Sequence, residues 1–245
     1  MQSTSIAYFK EAERLLGEVL RTQADAIDQV TNAIAEALAG GGTLFTFGTG
    51  HSHMLAEELF YRAGGLVKVH PIFDEPLMLH VGASRSSKME RLEGYAKTLL
   101  ELTPDMRAGD VLLLFSNSGR NAVPIELALA AKEKGVITAC ITNLAHTKSC
   151  TSRHASGKRL FEVCDIAIDN CGCIGDAAIS VGKYMCSPTS TVVGAAILES
   201  IVCGVVEKML ADGKDPEVFC SSNVDGGDKK NAGYLTKYRG VIPML

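Results

Sequence analysis

Five apolar residues in a row, Val111-Leu112-Leu113-Leu114-Phe115, stand between Gly109-Asp110 and Ser116-Asn117-Ser118-Gly119. So short an unbroken run, bounded by turn residues, reads as a strand covered on both faces, the mark of a parallel sheet. The rest of the chain fits that frame. Apolar strand segments recur at Thr43–Phe47, in LVKVHPIF, in VITACIT and in DIAID. Helical patterns separate them. Residues 5–38 repeat Leu15, Leu16, Val19, Leu20, Ile27, Val30, Ile34 and Leu38 at three- and four-residue steps, up to Gly40-Gly41-Gly42. A helix to about Ala63 stops at Gly64-Gly65, SSKMERLEGYAKTLLEL ends at Thr103-Pro104, and NAVPIELALAAKEK ends at Gly135. TSTVVGAAILESIVCGVVEKML is a long apolar helix, residues 143–160 are irregular, and the tail from residue 213 is polar. Alternating strands and helices predict an α/β three-layer sandwich with a mostly parallel sheet and a helical N-terminus. The expected layout is a helical segment over 1–40, one domain over 41–212 and a packed tail over 213–245.

Bulk properties exclude some functions. A net charge of −4 leaves no basic excess for phosphate backbones, so nucleic acid is not an expected partner. No stretch reads as apolar over the roughly 18 residues a membrane helix needs, and the N-terminus lacks an export pattern. No membrane partner and a cytoplasmic location are therefore expected. The eight cysteines are scattered, and Cys171-Gly172-Cys173 has no second ligand pair at metal-site spacing. No metal and no cofactor are expected.

In open parallel sheets, ligands bind beyond the carboxyl ends of the strands. Two turns fall there. One is Gly48-Thr49-Gly50-His51-Ser52, and the other is Ser116-Asn117-Ser118-Gly119-Arg120-Asn121. Each leaves a buried strand and opens a helix, whose free N–H groups and positive dipole end attract anions. Glycines allow close backbone approach, and the hydroxyls of Ser52, Ser116 and Ser118 add donors. Together they suit a phosphate monoester on a small metabolite. Neither turn is a P-loop, and His53 stands where a dinucleotide fingerprint needs glycine. Ordinary serine helix caps are the plainer alternative for either turn.

Three stretches give a family resemblance. GTGHSHMLAEEL resembles the first turn and helix of phosphoheptose isomerase. GDVLLLFSNSGRNAVPIELALAAKEKGV is similar to the signature of the sugar isomerase (SIS) domain. SPTSTVVGAAILESI resembles the Pro-Thr-Ser-Thr stretch of arabinose-5-phosphate isomerases. The resemblance covers roughly residues 35–212 and is closest to single-domain SIS proteins. It implies a flavodoxin-like sheet, a homodimer or homotetramer packed through the first helix, and a phosphorylated sugar as ligand. It also implies sugar or phosphate contacts from Ser52, Ser116 and Ser118, with Asn121 where many members have Ser or Thr. Gly48, Thr49, Gly50, Asn117 and Gly119 complete the two turns, and Thr189 and Ser190 belong to a third element that closes the site.

Glu57 and Glu58 follow the first turn. Glu58 lies six residues beyond Ser52, roughly 9 Å along a helix, a span comparable with an opened sugar phosphate. A carboxylate there can take the proton beside the carbonyl and give an enediol(ate). The helical wheel does not choose between the two glutamates; the resemblance chooses Glu58. The plainer reading is a surface Glu58–Arg62 pair. Phosphoheptose isomerase has a histidine in its last long helix, but here the matching position falls near Gly194. Glu199 is the acid at that helix's centre, set there for function or for an interface. His51, inside the glycine turn, is a further acid or sugar contact. His53, His80, Asn223, Asp225, Arg120 and Arg153 are weaker candidates with plain structural alternatives. The leading expectation is an aldose–ketose isomerase. The alternatives are a lyase or etherase on an amino-sugar phosphate and a module that binds a sugar phosphate without chemistry.

Overall fold

The computed structural model describes residues 2–245. Its elements in order are α1 (Ser3–Thr22), α2 (Ala24–Ala39), β1 (Leu44–Gly48), α3 (His53–Glu58), β2 (Val69–Pro71), α4 (Leu79–Met89), α5 (Tyr95–Leu102) and β3 (Val111–Phe115). There follow α6 (Ala122–Glu133), β4 (Ile137–Thr142), α7 (Leu144–Lys148), α8 (Leu160–Val163), β5 (Ile166–Asp169), β6 (Ala177–Val181), β7 (Tyr184–Pro188), α9 (Ser190–Ala211) and α10 (Gly227–Tyr238). Five strands form one parallel sheet in the order β2-β1-β3-β4-β5.

Strand alternation divides the core. Leu44, Val111, Leu113, Phe115, Ala139 and Ile141 face α2, α3 and α9. Phe45, Phe47, Leu112, Leu114 and Cys140 face α5, α6 and α8. Each fully buried leucine of β3 contributes about 1.5–3 kcal/mol by leaving water. That two-sided burial explains the unbroken apolar run and confirms the expected mostly parallel α/β sandwich.

Several boundaries differ from the sequence expectation. The helix over 5–38 breaks at Gln23 (φ −115°, ψ 4°), whose side-chain carbonyl accepts the amide of Asp169 at 3.0 Å. α3 ends at Glu58 rather than near Ala63. Tyr61 is left-handed (φ 47°), and Phe60 and Tyr61 turn toward Phe73 and Phe219. The polar tail holds α10, and Phe219, Tyr238 and Ile242 pack with Val67 in a core of their own. The antiparallel β6–β7 hairpin was not foreseen either. By length and composition α9 is apolar enough to cross a membrane, with a mean hydropathy of 1.7, which corrects the sequence reading. Its apolarity has a local cause. Val193, Ile197, Leu198, Ile201, Val202 and Val205 are buried in the core shared with α2 and α3. Gly194 lies against Leu55, where an added Cβ would come within 2.7 Å of Leu55 Cδ1, so a side chain there requires Leu55 to move.

One buried group makes stability depend on pH. His70 on β2 is 4% exposed, its ring 5.3 Å from that of Phe45, and its Nδ1 has no partner. Burial lowers its pKa to about 4. The unfolded chain, titrating near 6.5, therefore binds more protons than the folded one between these values. The stability held above the unfolded value is lost as pH falls through this window, by up to about 3 kcal/mol. We expect His70→Phe to flatten the dependence of unfolding free energy on pH between about 6.5 and 4, measured by denaturant titration at each pH.

Candidate functional site

The parallel register brings the carboxyl ends of β1, β3, β4 and β5 to one edge, with Gly48 beside Phe115, Phe115 beside Ile141 and Thr142 beside Asp169. What leaves each strand there builds a small cleft, lined by His51, Ser52, Leu55, Ser116, Asn117, Ile141, Asn170, Ser190 and Thr191.

The first turn folds tightly over its strand. The Ser52 amide donates to Thr49 O at 3.0 Å, and Gly50 is left-handed (φ 57°). A Cβ on Gly48 would stand 2.4 Å from the Ser52 carbonyl oxygen, so only glycine fits. The Thr49 hydroxyl turns away and donates to Glu90 Oε2 at 2.7 Å. His53 Nδ1 pairs with the Gly50 carbonyl, and its Nε2 lies 3.8 Å from Glu57. His51 is left at the cleft.

In the second turn the Ser116 amide extends the β3–β4 ladder by donating to Ile141 O. Its hydroxyl oxygen accepts the Gly119 amide at 3.1 Å, leaving the hydroxyl proton for a ligand. Gly119 is left-handed (φ 58°), and a Cβ there would meet Thr147 Oγ1 at 2.9 Å. Asn117 is held by its neighbours. Its side-chain oxygen accepts Asn170 Nδ2 at 2.8 Å and its carbonyl accepts the Asn143 amide at 3.1 Å. Asn170, 2% exposed, also accepts the Gly172 amide, and Asn143 donates to Cys173 O. Asn121 stands at the N-cap position of α6 without a side-chain capping bond, and its Oδ1 accepts Arg153 Nη1 at 2.9 Å.

The third element has its own anion. Asp176 accepts the amides of Thr189 and Ser190 at 3.1 and 2.9 Å and the Ser190 hydroxyl at 2.5 Å. A protein carboxylate thus occupies the start of α9. Thr189 is buried behind it with an unpartnered hydroxyl, while Ser190 reaches the cleft.

Of the residues singled out by sequence, the cleft therefore gathers His51, Ser52, Ser116, Asn117 and Ser190. Gly48, Thr49 and Gly50 shape one wall, and Ser118, Gly119 and Asn121 continue the other toward α6. Glu58 and Glu199 are not in the lining. Glu58 pairs with Arg62, which is also 3.9 Å from Glu199 Oε1, so α3 and α9 present two carboxylates around one guanidinium. Glu199 Oε1 has no hydrogen bond. Sequence reasoning missed Asn143, Asn170, Asp176 and Thr191. The two asparagines had a signal: each directly follows a strand on the edge that carries the two turns. The cysteines are free thiols, and Cys171 bonds locally to Asp169. No group of three or more possible metal ligands occurs among the described residues.

A model of the SIS domain matches residues 7–143. A UPF0309 protein of Geobacillus thermodenitrificans is 46% identical over 240 residues, covering 97% of this chain and 96% of that protein. Among solved structures, a phosphoheptose isomerase from Francisella tularensis superposes with a TM-score of 0.55 at 17% identity, over 84% of this chain and 100% of that one. The sugar isomerase domain of an RpiR transcription factor from Sphaerobacter thermophilus gives 0.52 at 15% identity, over 98% and 100%. At such identities the superpositions speak to the fold.

Proposed function

The chain belongs to the SIS domain family, and from that premise we propose that its edge cleft binds a phosphorylated sugar and interconverts its aldose and ketose forms. The observation that carries this reading is the convergence of two glycine turns and the α9 start on one neutral, donor-rich cleft. Ser52 and Ser116 supply hydroxyls, Ser190, whose proton goes to Asp176, offers an acceptor oxygen, and Asn117, held by Asn170, presents a fixed amide. Such a lining suits the several hydroxyls of an opened sugar, and the free amides of the turns suit its phosphate.

In this reading Glu58 is the base. It takes the proton from the carbon next to the carbonyl, and the C–H electrons form the enediolate double bond. Return of a proton to the neighbouring carbon completes the exchange. Arg62 orients the Glu58 carboxylate from one turn further along the chain. His51, at the mouth, serves ring opening. Glu199, on the far side of Arg62, is the second acid within reach of that guanidinium. A second copy of the chain is the proposed partner. Ile6, Phe9, Leu16 and Leu20 lie exposed along α1, and Phe9 and Leu20 are 64% and 76% accessible.

A second reading, binding without turnover, is favoured by one observation: Glu58 is engaged by Arg62 outside the cleft lining. Deuterium wash-in from heavy water separates the two. Incubation with a panel of aldose and ketose phosphates is expected to place deuterium at C2 of at least one. Absence of exchange in every panel member, from folded protein that binds one of them, overturns the isomerase reading and leaves the binding module.

A further inference from the structure

The cleft lining contains no Lys or Arg, yet a phosphate monoester carries close to two negative charges near neutral pH. The missing charge lies next to the second turn. Arg120 follows Gly119 directly, and its carbonyl accepts the Arg153 amide at 2.8 Å, which brings the 153 segment against the turn. Arg153 then places Nη1 on the side chain of Asn121, the residue that opens α6. The Arg153 pKa is lowered by desolvation and by the like charges of Arg120 and Arg91, with Glu90 and Cys150 acting the other way.

Guanidiniums close to one another are costly unless an anion joins them, and among the described residues the side chains of Arg120 and Arg153 meet Thr151 and Asn121 rather than a carboxylate. Glu90 accepts the Thr49 hydroxyl. The next two are turned to backbone amides, Glu93 to Ala155 and Glu126 to Gly94 and Ala96, and Glu126 also lies 3.7 Å from His154. Arg120 Nε is buried with no hydrogen-bond partner, and its Nη2 reaches Thr151 only at 3.4 Å. A buried guanidinium N–H without an acceptor is expensive. The start of α6 does not replace these cations. Val123 donates its amide to Glu90 O, and Pro124 has none to offer, so the first turn of that helix is short of donors.

We propose that Arg120 and Arg153 form the charged seat of the ligand's phosphate at the α6 end of the cleft. This rests on the phosphosugar reading and names the cations that would offset the ligand's charge. The dianion meets two guanidiniums plus the free amides of the turn, and the uncharged carbons lie among Asn117, Ser52 and Ser190. Sulfated sugars of the same shape, with one charge instead of two, bind more weakly.

The test titrates inorganic phosphate, and then the tightest sugar phosphate of a panel, into wild-type protein and into Arg153→Gln, Arg120→Gln and Arg153→Lys. Each glutamine variant is expected to weaken both ligands roughly tenfold or more, as loss of a charge-assisted hydrogen bond does. Arg153→Lys keeps more affinity than Arg153→Gln. Added sodium chloride weakens binding to wild type more steeply than to a protein carrying both glutamine substitutions. Affinity for the unphosphorylated sugar stays the same in all of them. Two results overturn the proposal while the phosphosugar reading stands: undiminished phosphosugar affinity in both glutamine variants, or equal loss for phosphorylated and unphosphorylated sugar. If wild type binds no phosphosugar at all, the reading and this inference fall together.

Discussion

Glutamine in place of Glu58 lowers the rate of deuterium wash-in by about 10²- to 10⁴-fold, the range that a positioned general base contributes. The substitution keeps the side chain's length and a carbonyl oxygen for Arg62, but an amide cannot take the proton. The competing account is a plain i,i+4 ion pair. Glu58 is 34% exposed and Arg62 45%, and an exposed pair of this kind contributes a few tenths of a kcal/mol to stability and nothing to chemistry. The two accounts therefore differ by orders of magnitude in one observable and agree in the other. Both expect the melting temperature of Glu58→Gln to stay near that of wild type. Wash-in retained at the wild-type rate assigns Glu58 to the helix surface and moves the base elsewhere. Loss of wash-in together with loss of phosphosugar binding makes Glu58 a contact rather than a base.

Alanine at Gly48 is the second large effect, and it acts on the fold of the site. The added Cβ stands 2.4 Å from Ser52 O, 2.5 Å from Ser52 C and 2.9 Å from His53 N. All three are backbone atoms, so no rotamer change relieves the overlap. The turn must lift from β1, carrying Ser52 and the start of α3 with it. A cost of about 3 kcal/mol or more is expected, which for a chain of this size lowers the melting temperature by roughly 6–12 °C. Phosphosugar binding falls with it, because Ser52 leaves the cleft. Gly50→Ala is the matched control. Gly50 has a positive φ of 57° but open space around its Cβ position, so it bears only the left-handed penalty of about 1–2 kcal/mol. Equal melting temperatures for Gly48→Ala and wild type would show that the turn is not packed as described.

The sheet was readable because its strands are buried on both sides. Leu112, Leu113 and Leu114 need no alternation when α6 covers one face and α2 and α9 the other. The two turns were readable because glycine and serine at strand ends have few structural uses. What escaped the sequence depends on distant partners. The break at Gln23 is fixed by an amide 146 residues away. Asp176 stands in the left-handed region (φ 70°) and caps α9 from across a hairpin whose residues show no clean alternation. The length of α3 was overestimated because the Phe60–Tyr61 aromatic contacts to Phe73 and Phe219 redirect the chain. The pairing of Glu58 with Arg62 was visible at i,i+4. That the same arginine lies beside Glu199 was not, since it arises from the packing of α3 on α9. Gly194 has a similar origin. Its lack of a side chain reads as a missing histidine in the sequence and as close contact with Leu55 in the fold.

Matched pairs of sugars, with and without their phosphate, give the most direct test of a cleft that grips a phosphosugar by its charged end. Each pair is titrated into the wild-type protein while the melting temperature is followed, since a ligand that binds only the folded state raises it by mass action. At least one phosphorylated member is expected to raise the melting temperature and its dephosphorylated partner to leave it unchanged. Equal shifts from both members of every pair, or no shift from any phosphorylated sugar, would contradict the account.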